Sequence, residues 1–367
     1  MKFRYLAAAS AAALAMSITA SPALAHGSGH HPAHQPGAAT EVAAQLISPL
    51  KVAFGPKGSY LVAESFAGQL SKIDAAGRKT TVVNAPGQEI GGVSYANGTT
   101  YYFNNDQSAD PSAEPGAELL PARLMSIDSR GKTRMMADLS KYEAAHNPDG
   151  KTVYGLRDAS PACLAQAPYL RQTGEVFSHP CSSSPGWGGV FVGDAGANNI
   201  LFVSNSGKVR LVKQLPAEPI VVDAAVVALG AEMGMTIPDC AIGLTYYAQP
   251  VPTDIEVNGR WVYYTVLPGV PGESLGAGKA YRTNIVTGRT ELLAKGLAAP
   301  TGIAVGQDDT VYVAQLLGDG VSVLKKGKPV NVLPAAMAAD VAVRGHTLAA
   351  VTEALMPTGK LMTVKLR

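Results

Sequence analysis

His146, His179, Asp254 and Asp340 are the side chains of this sequence best suited to chemistry. Together they would serve a hydrolase or lyase that needs imidazole or hard oxygen donors converging on one point, with or without a metal ion. Thr253 and Thr301, in Pro252-Thr253-Asp254 and Pro300-Thr301-Gly302, complete the candidate ligand-binding set. The local sequence writes no reaction around them. Gly-Xaa-Ser-Xaa-Gly, His-Glu-Xaa-Xaa-His, Walker and dinucleotide motifs are absent, and no cofactor is expected.

What must position these residues is a repeat. Six times a short apolar run ending in a turn is followed by a second run that finishes at a strand end. The clearest copies run from Val52 through Gly58 to Glu64, and from Ile303 through Gly306 to Gln315. Period-2 strands with Gly-rich turns at this repeat size are the signature of β-propeller blades. Aliphatic anchors fall at Val52, Val93, Ile255, Ile303 and Val341, with Ser183 as a polar sixth. The second runs end at Glu64, Asn105, Asp194, Val266, Gln315 and Glu353. Six anchors predict an all-β, six-bladed propeller.

The phase of the repeat tests the enzymatic reading. A metal-dependent lactonase on this architecture needs oxygen ligands from the inner strands of several blades. Two residues before each anchor stand Leu50, Gly91, Cys181, Thr253, Thr301 and Ala339, a ring without carboxylate or Asn. By strict alternation Asp254 and Asp340, one position on, face the other way. The recurring Glu64, Asn105, Asp194, Gln315 and Glu353 read as strand-end side chains that accept the N–H groups of the following turn.

Three excursions interrupt the repeat: 106–120, 140–174 and 215–250. The third contains Asp223 ahead of an Ala/Val-rich run, predicting a short helix with Asp223 as N-cap. Long ordered loops on a rigid scaffold tend to carry recognition. The second and third are read as a lid over one channel mouth. Cys163 and Cys240 lie in these two excursions, and their pairing is the favoured disulfide. Cys163 with Cys181 is the competing pair. Cys181, two residues from His179, reads as a buried thiol rather than a nucleophile.

Lys2 and Arg4, an Ala/Leu-rich stretch and Ala23-Leu24-Ala25 form the three parts of a cleavable secretory signal, so residues 1–25 are expected to be removed on export. Residues 26–40 read as a disordered His/Gly/Pro-rich tail, in which His26, His30, His31 and His34 are weak metal-binding candidates. Residues 41–367 form the propeller, and the segment 41–47, which has no blade of its own, is expected to close the C-terminal one. A net charge of +2 with 16% charged residues leaves no footprint for nucleic acid. No second apolar stretch is long enough to span a bilayer.

Several longer motifs carry a family resemblance. They are Val190-Phe191-Val192-Gly193-Asp194-Ala195-Gly196-Ala197-Asn198-Asn199, Pro238-Asp239-Cys240-Ala241-Ile242-Gly243, Leu267-Pro268-Gly269 and Pro300-Thr301-Gly302-Ile303. With them, nearly all of residues 42–367 resembles the ScyD/ScyE family of exported, NHL-like six-bladed propellers. Cys181-Ser182-Ser183-Ser184-Pro185 departs from the aromatic and aliphatic residues usual after His-Pro in that family. The resemblance implies a fold and export, and no established reaction. The expectation is therefore an exported, monomeric, non-enzymatic binding or scaffold propeller. Its partner is a small molecule, an envelope polymer or a protein, and the alternative is a metal-dependent hydrolase or lactonase at the channel mouth.

Overall fold

The computed structural model describes residues 37–106 and 121–366. The signal segment, residues 26–36 of the His-rich tail and most of the first excursion lie outside the described residues; Gly37 already donates to the Lys365 carbonyl, and Thr40 opens a strand. Six antiparallel four-stranded sheets form the blades. Their inner strands are Pro49–Phe54, Gln88–Ala96, Pro180–Gly186, Pro250–Asn258, Pro300–Val305 and Asp340–Arg344. Each touches the next in that order, and the sixth touches the first, so the ring is closed.

All six sequence anchors lie on these strands in one register. Val52 pairs with Val62, Val93 with Tyr102, Ser183 with Val192, Ile255 with Tyr264, Ile303 with Val313 and Val341 with Ala350. Ser183 keeps its place without an aliphatic side chain because its Oγ lies 2.7 Å from that of Ser94 on the second blade. A hydroxyl pair satisfies both groups where a lone buried hydroxyl would be costly.

Closure follows the expected route. The strand Thr40–Leu46 pairs antiparallel with Gly359–Lys365, setting Thr40 opposite Thr363 and Leu46 opposite Gly359. It supplies the fourth strand of the last blade and covers an edge that would otherwise stay unpaired. Leu46 and Leu361 are buried in the same core as Val52, Val351 and Ala349, which joins the chain's two ends to the first blade.

The second and third excursions contain more structure than loops and one helix. Arg171–Thr173, Val153–Leu156, Thr245–Ala248 and Glu218–Val221 assemble, in that order, into a seventh four-stranded sheet outside the ring. These strands have only 3 to 4 residues each, too short for period-2 patterning to show. Helices Leu139–His146, Pro161–Gln166 and Ala224–Glu232 accompany it. Asp223 caps the last as predicted, its Oδ1 accepting the N–H groups of Ala225 and Val226 at 3.0 Å each. Leu156, Leu170, Val222, Val226 and Ile237 give the unit a core of its own. The Cys163–Cys240 disulfide, with a Cα–Cα distance of 5.9 Å, lies within it, and Cys181 is the free thiol.

Candidate functional site

All three excursions leave the propeller at the face where the inner strands begin, because second strands end, third strands begin and fourth strands end there. The unit carrying the seventh sheet stands on the third and fourth blades. Asp149 accepts from Asn198 Nδ2 at 3.0 Å, and Glu218 accepts from Tyr281 of the fourth blade at 2.8 Å.

On the axis the central group is Lys51, which the sequence reading did not select. It is 7% exposed. Its Nζ donates to the carbonyls of Thr253 at 2.9 Å and Thr301 at 2.7 Å, and lies 3.1 Å from Asp254 Oδ1 and 3.8 Å from Asp340 Oδ1. Thr253, Asp254, Thr301 and Asp340 are therefore brought together. The expectation that the two aspartates face away from the threonine ring needs correction. A bulge between Pro252 and Asp254 breaks strict alternation ahead of Asp254, as bulges do between Pro49 and Lys51 and between Pro300 and Gly302, and a bulge re-aims the side chains that follow it; Asp340 opens a strand that pairs without such a shift.

Each aspartate also ties neighbouring blades. Asp254 Oδ2 accepts from the Ile303 N–H, and Asp340 Oδ2 from the Val52 N–H, both at 2.7 Å. Gly302 makes room for this, since a Cβ there would lie 2.7 Å from Asp340 Oδ1. Burial pulls the Lys51 pKa down, but Asp254 and Asp340 outweigh it and hold the ammonium above its usual value. Burial drives Asp340 well above the carboxylate range, with the Asp254 charge adding to it and Lys51 opposing.

Beside this cluster, His179 Nε2 lies 2.6 Å from Glu89 Oε2. Burial disfavours its charge, but Glu89 and Asp194 reverse that and bring its pKa up to about 8. Cys181 Sγ donates to the carbonyls of Pro252 at 3.5 Å and Thr253 at 3.6 Å. Burial pushes its pKa up to about 12, so it has no thiolate character at neutral pH. His146 is not part of the site. It is exposed at the end of its helix, its Nδ1 is 2.9 Å from the Tyr142 carbonyl, and its ring stacks on Tyr142.

The strand-end series is structural, with partners different from those expected. Glu64 accepts from the Ile47 N–H at 2.8 Å, Gln315 from Ala298 at 2.9 Å and Asp194 from His179 at 2.8 Å. Asn105 donates to the Pro180 carbonyl at 3.0 Å. These side chains fasten segments that lead into inner strands; Asp194 alone of the four also reaches the following turn, at the Ala197 N–H. Glu353 differs, pairing with Lys360 at 2.7 Å. A further buried carboxyl, Glu143, is 1% exposed and neither of its oxygens has a hydrogen-bond partner. Burial and the nearby Asp194 and Asp149 raise its pKa to about 8.

Of these two missed groups, one left a trace in the sequence. Lys51 occupies the repeat position held by Asp254 and Asp340 in other blades, so opposite charges at equivalent sites were the available signal. Glu143 carried none, because its burial depends on how an excursion docks. Among the described residues no group of three or more His, Cys, Asp or Glu is arranged to hold a metal ion. No described helix is long and apolar enough to cross a membrane.

A closed ring of six blades defines the chain as a β-propeller. No protein-family model and no curated protein matches the sequence. Among solved structures it is similar to regucalcin, a calcium-binding protein from Agrobacterium tumefaciens, with a TM-score of 0.52 and 12% identity over 91% of this chain and 96% of that one. Virginiamycin B lyase from Staphylococcus aureus gives 0.50 and 13%, covering 90% and 99%. A protein of unknown function from Bacteroides thetaiotaomicron gives 0.51 and 11%, covering 89% and 76%. At these identities the likeness extends to the fold alone.

Proposed function

We propose that the protein is an exported, non-enzymatic binding or scaffold propeller of the ScyD/ScyE kind that meets its ligand at the mouth beside the seventh sheet. The observation that carries this reading is Lys51. Two carbonyls and two carboxylates converge near the axis, the kind of oxygen set that suits a hard divalent cation. Here they already surround an ammonium built into the chain. The axial carboxylates thus serve ring closure. The half-buried His179 and Thr301 remain as polar groups near the mouth, and the Thr301 hydroxyl has no protein hydrogen-bond partner. The Cys163–Cys240 disulfide suits export, as does the signal-like start of the sequence.

A second reading rests on the His179–Glu89 pair, an imidazole with a pKa near 8 held by a carboxylate. Such a group fits a hydrolase or lyase acid at the mouth. Calorimetric titration of the protein, with the His-rich tail removed, with Ca²⁺ and Zn²⁺, together with a lactone and ester hydrolysis panel, separates the two. The binding reading expects no saturable ion site and no turnover. One-to-one ion binding abolished by Asp254→Asn, or hydrolysis abolished by His179→Ala, would overturn it.

A further inference from the structure

Between the seventh sheet and the fourth blade runs a cleft of about 400 Å³, within the size range of small-molecule sites. One wall is Pro219 and Ile220 on the edge strand; Pro268 and Ala277 of the fourth blade face them, and Lys279 and Lys295 also line the cleft. Gly276 and Gly296 line it too, and no atom lies near where a Cβ at either would sit.

Its charge is unusual. Lys279 and Lys295 stand directly opposite each other on neighbouring antiparallel strands, an arrangement that like charges disfavour. Glu218 compensates one of them. Its Oε2 pairs with Lys279, and its Oε1 accepts from the Tyr281 hydroxyl at 2.8 Å. Both Glu218 oxygens are then engaged, and among the described residues Lys295 belongs to no ion pair. Lys295 is exposed, whereas the side chains of Lys279 and Glu218 are 21% and 5% exposed. The cleft thus has a paired charged floor, an exposed cationic rim and apolar walls.

We propose that this cleft binds a small organic carboxylate, held at its charged end by Lys295 with Lys279 and along its apolar body by Ile220, Pro219 and Pro268. The lysines call for an anion, because a charge-assisted bond there also relieves their mutual repulsion. The walls call for an apolar body, since inorganic phosphate would leave them wet. Addition of a peptide strand to the Glu218–Val221 edge is disfavoured, because Pro219 lacks the N–H that a ladder needs.

Octanoate and inorganic phosphate, titrated calorimetrically into the intact protein, test the proposal. Octanoate is expected to bind saturably at one site. Lys295→Glu should weaken it about tenfold, the loss of one charge-assisted bond. Lys72→Glu, an exposed change of the same charge on the first blade, should leave binding unchanged. Matching melting curves for both variants and the parent would show that the fold is intact. Absence of saturable octanoate binding would overturn the proposal, as would equal weakening by the two variants. Phosphate binding as tight as octanoate would remove the role assigned to the apolar walls and overturn it equally.

Discussion

Lys51 shows how one side chain joins a ring of blades that backbone hydrogen bonds do not link. Its ammonium reaches a carbonyl on each of the fourth and fifth blades and a carboxylate on each of the fourth and sixth. Removing one member of a buried ionic set leaves uncompensated charge, which costs about 3–5 kcal/mol. Lys51→Met should therefore lower stability by that amount in urea denaturation. Adding Asp254→Asn and Asp340→Asn should restore much of the loss, because the amide oxygens still accept from Ile303 and Val52 while the stranded negative charge vanishes. A triple variant less stable than Lys51→Met would show that the carboxylates matter for something other than Lys51. Glu143 carries a pH prediction. Its pKa near 8 in the fold, against about 4.5 unfolded, means that the native state binds more protons between those values. Stability then falls as pH rises through that window. Glu143→Gln should remove this slope, leaving the variant more stable than the parent at pH 8 by on the order of 4 kcal/mol, with no advantage near pH 4.5. Urea midpoints measured across this range would check it. His179, also raised to about 8, contributes stability that is present below about 6.5 and lost through 8. Glu89→Gln distinguishes that contribution. Ser183 was legible as an irregular anchor, but its partner Ser94 was not, because the pairing depends on the distance between two blades.

Among the elements, those with a repeat to declare them were readable, and those without were not. The inner and second strands showed period-2 runs bounded by Gly-rich turns, whereas the seventh sheet's strands are too short and scattered for that pattern. Bulges were invisible for a related reason: one extra residue shifts a side chain's facing without altering residue types, and so Asp254 was placed on the wrong side. The favoured disulfide was correct, and it serves the excursion unit. Cys163 and Cys240 are 77 residues apart, so the crosslink is worth about 4 kcal/mol in chain entropy. Because the unit has its own small core, that loss should express itself as local opening. Cys163→Ser with Cys240→Ser should make residues 157–171 and 222–243 the first sites of limited proteolysis, while the main thermal transition moves little. Mass spectrometry of the first fragments decides this. First cuts within the blades would show that the unit and the ring open together.

At the scale of the whole molecule, the ring holds only if its last blade has no open edge. Gly359–Lys365 is paired on one side with Thr347–Thr352 and on the other with Thr40–Leu46. The closing strand brings Leu46, 1% exposed, into a core shared with Val52, Ala349 and Leu361. Burying Leu46 alone contributes roughly 2 kcal/mol, and the backbone ladder adds to it. Its loss would also expose an unpaired edge to other molecules. A chain beginning at Ile47 should therefore melt well below one beginning at Gly37 and aggregate as it does so. A comparable shortening at the Pro56–Gly58 turn, which forms no ladder, should cost far less. The same comparison examines the placement of Lys51, five residues beyond Leu46 on the chain and one layer inside the ring. If the truncated protein retained its melting temperature, the first blade would be held by the axial cluster alone. If instead Lys51→Met and the truncation each lowered stability by less together than in sum, one cooperative closure would be lost by either route. That outcome is expected, since both act on the junction of the sixth blade with the first.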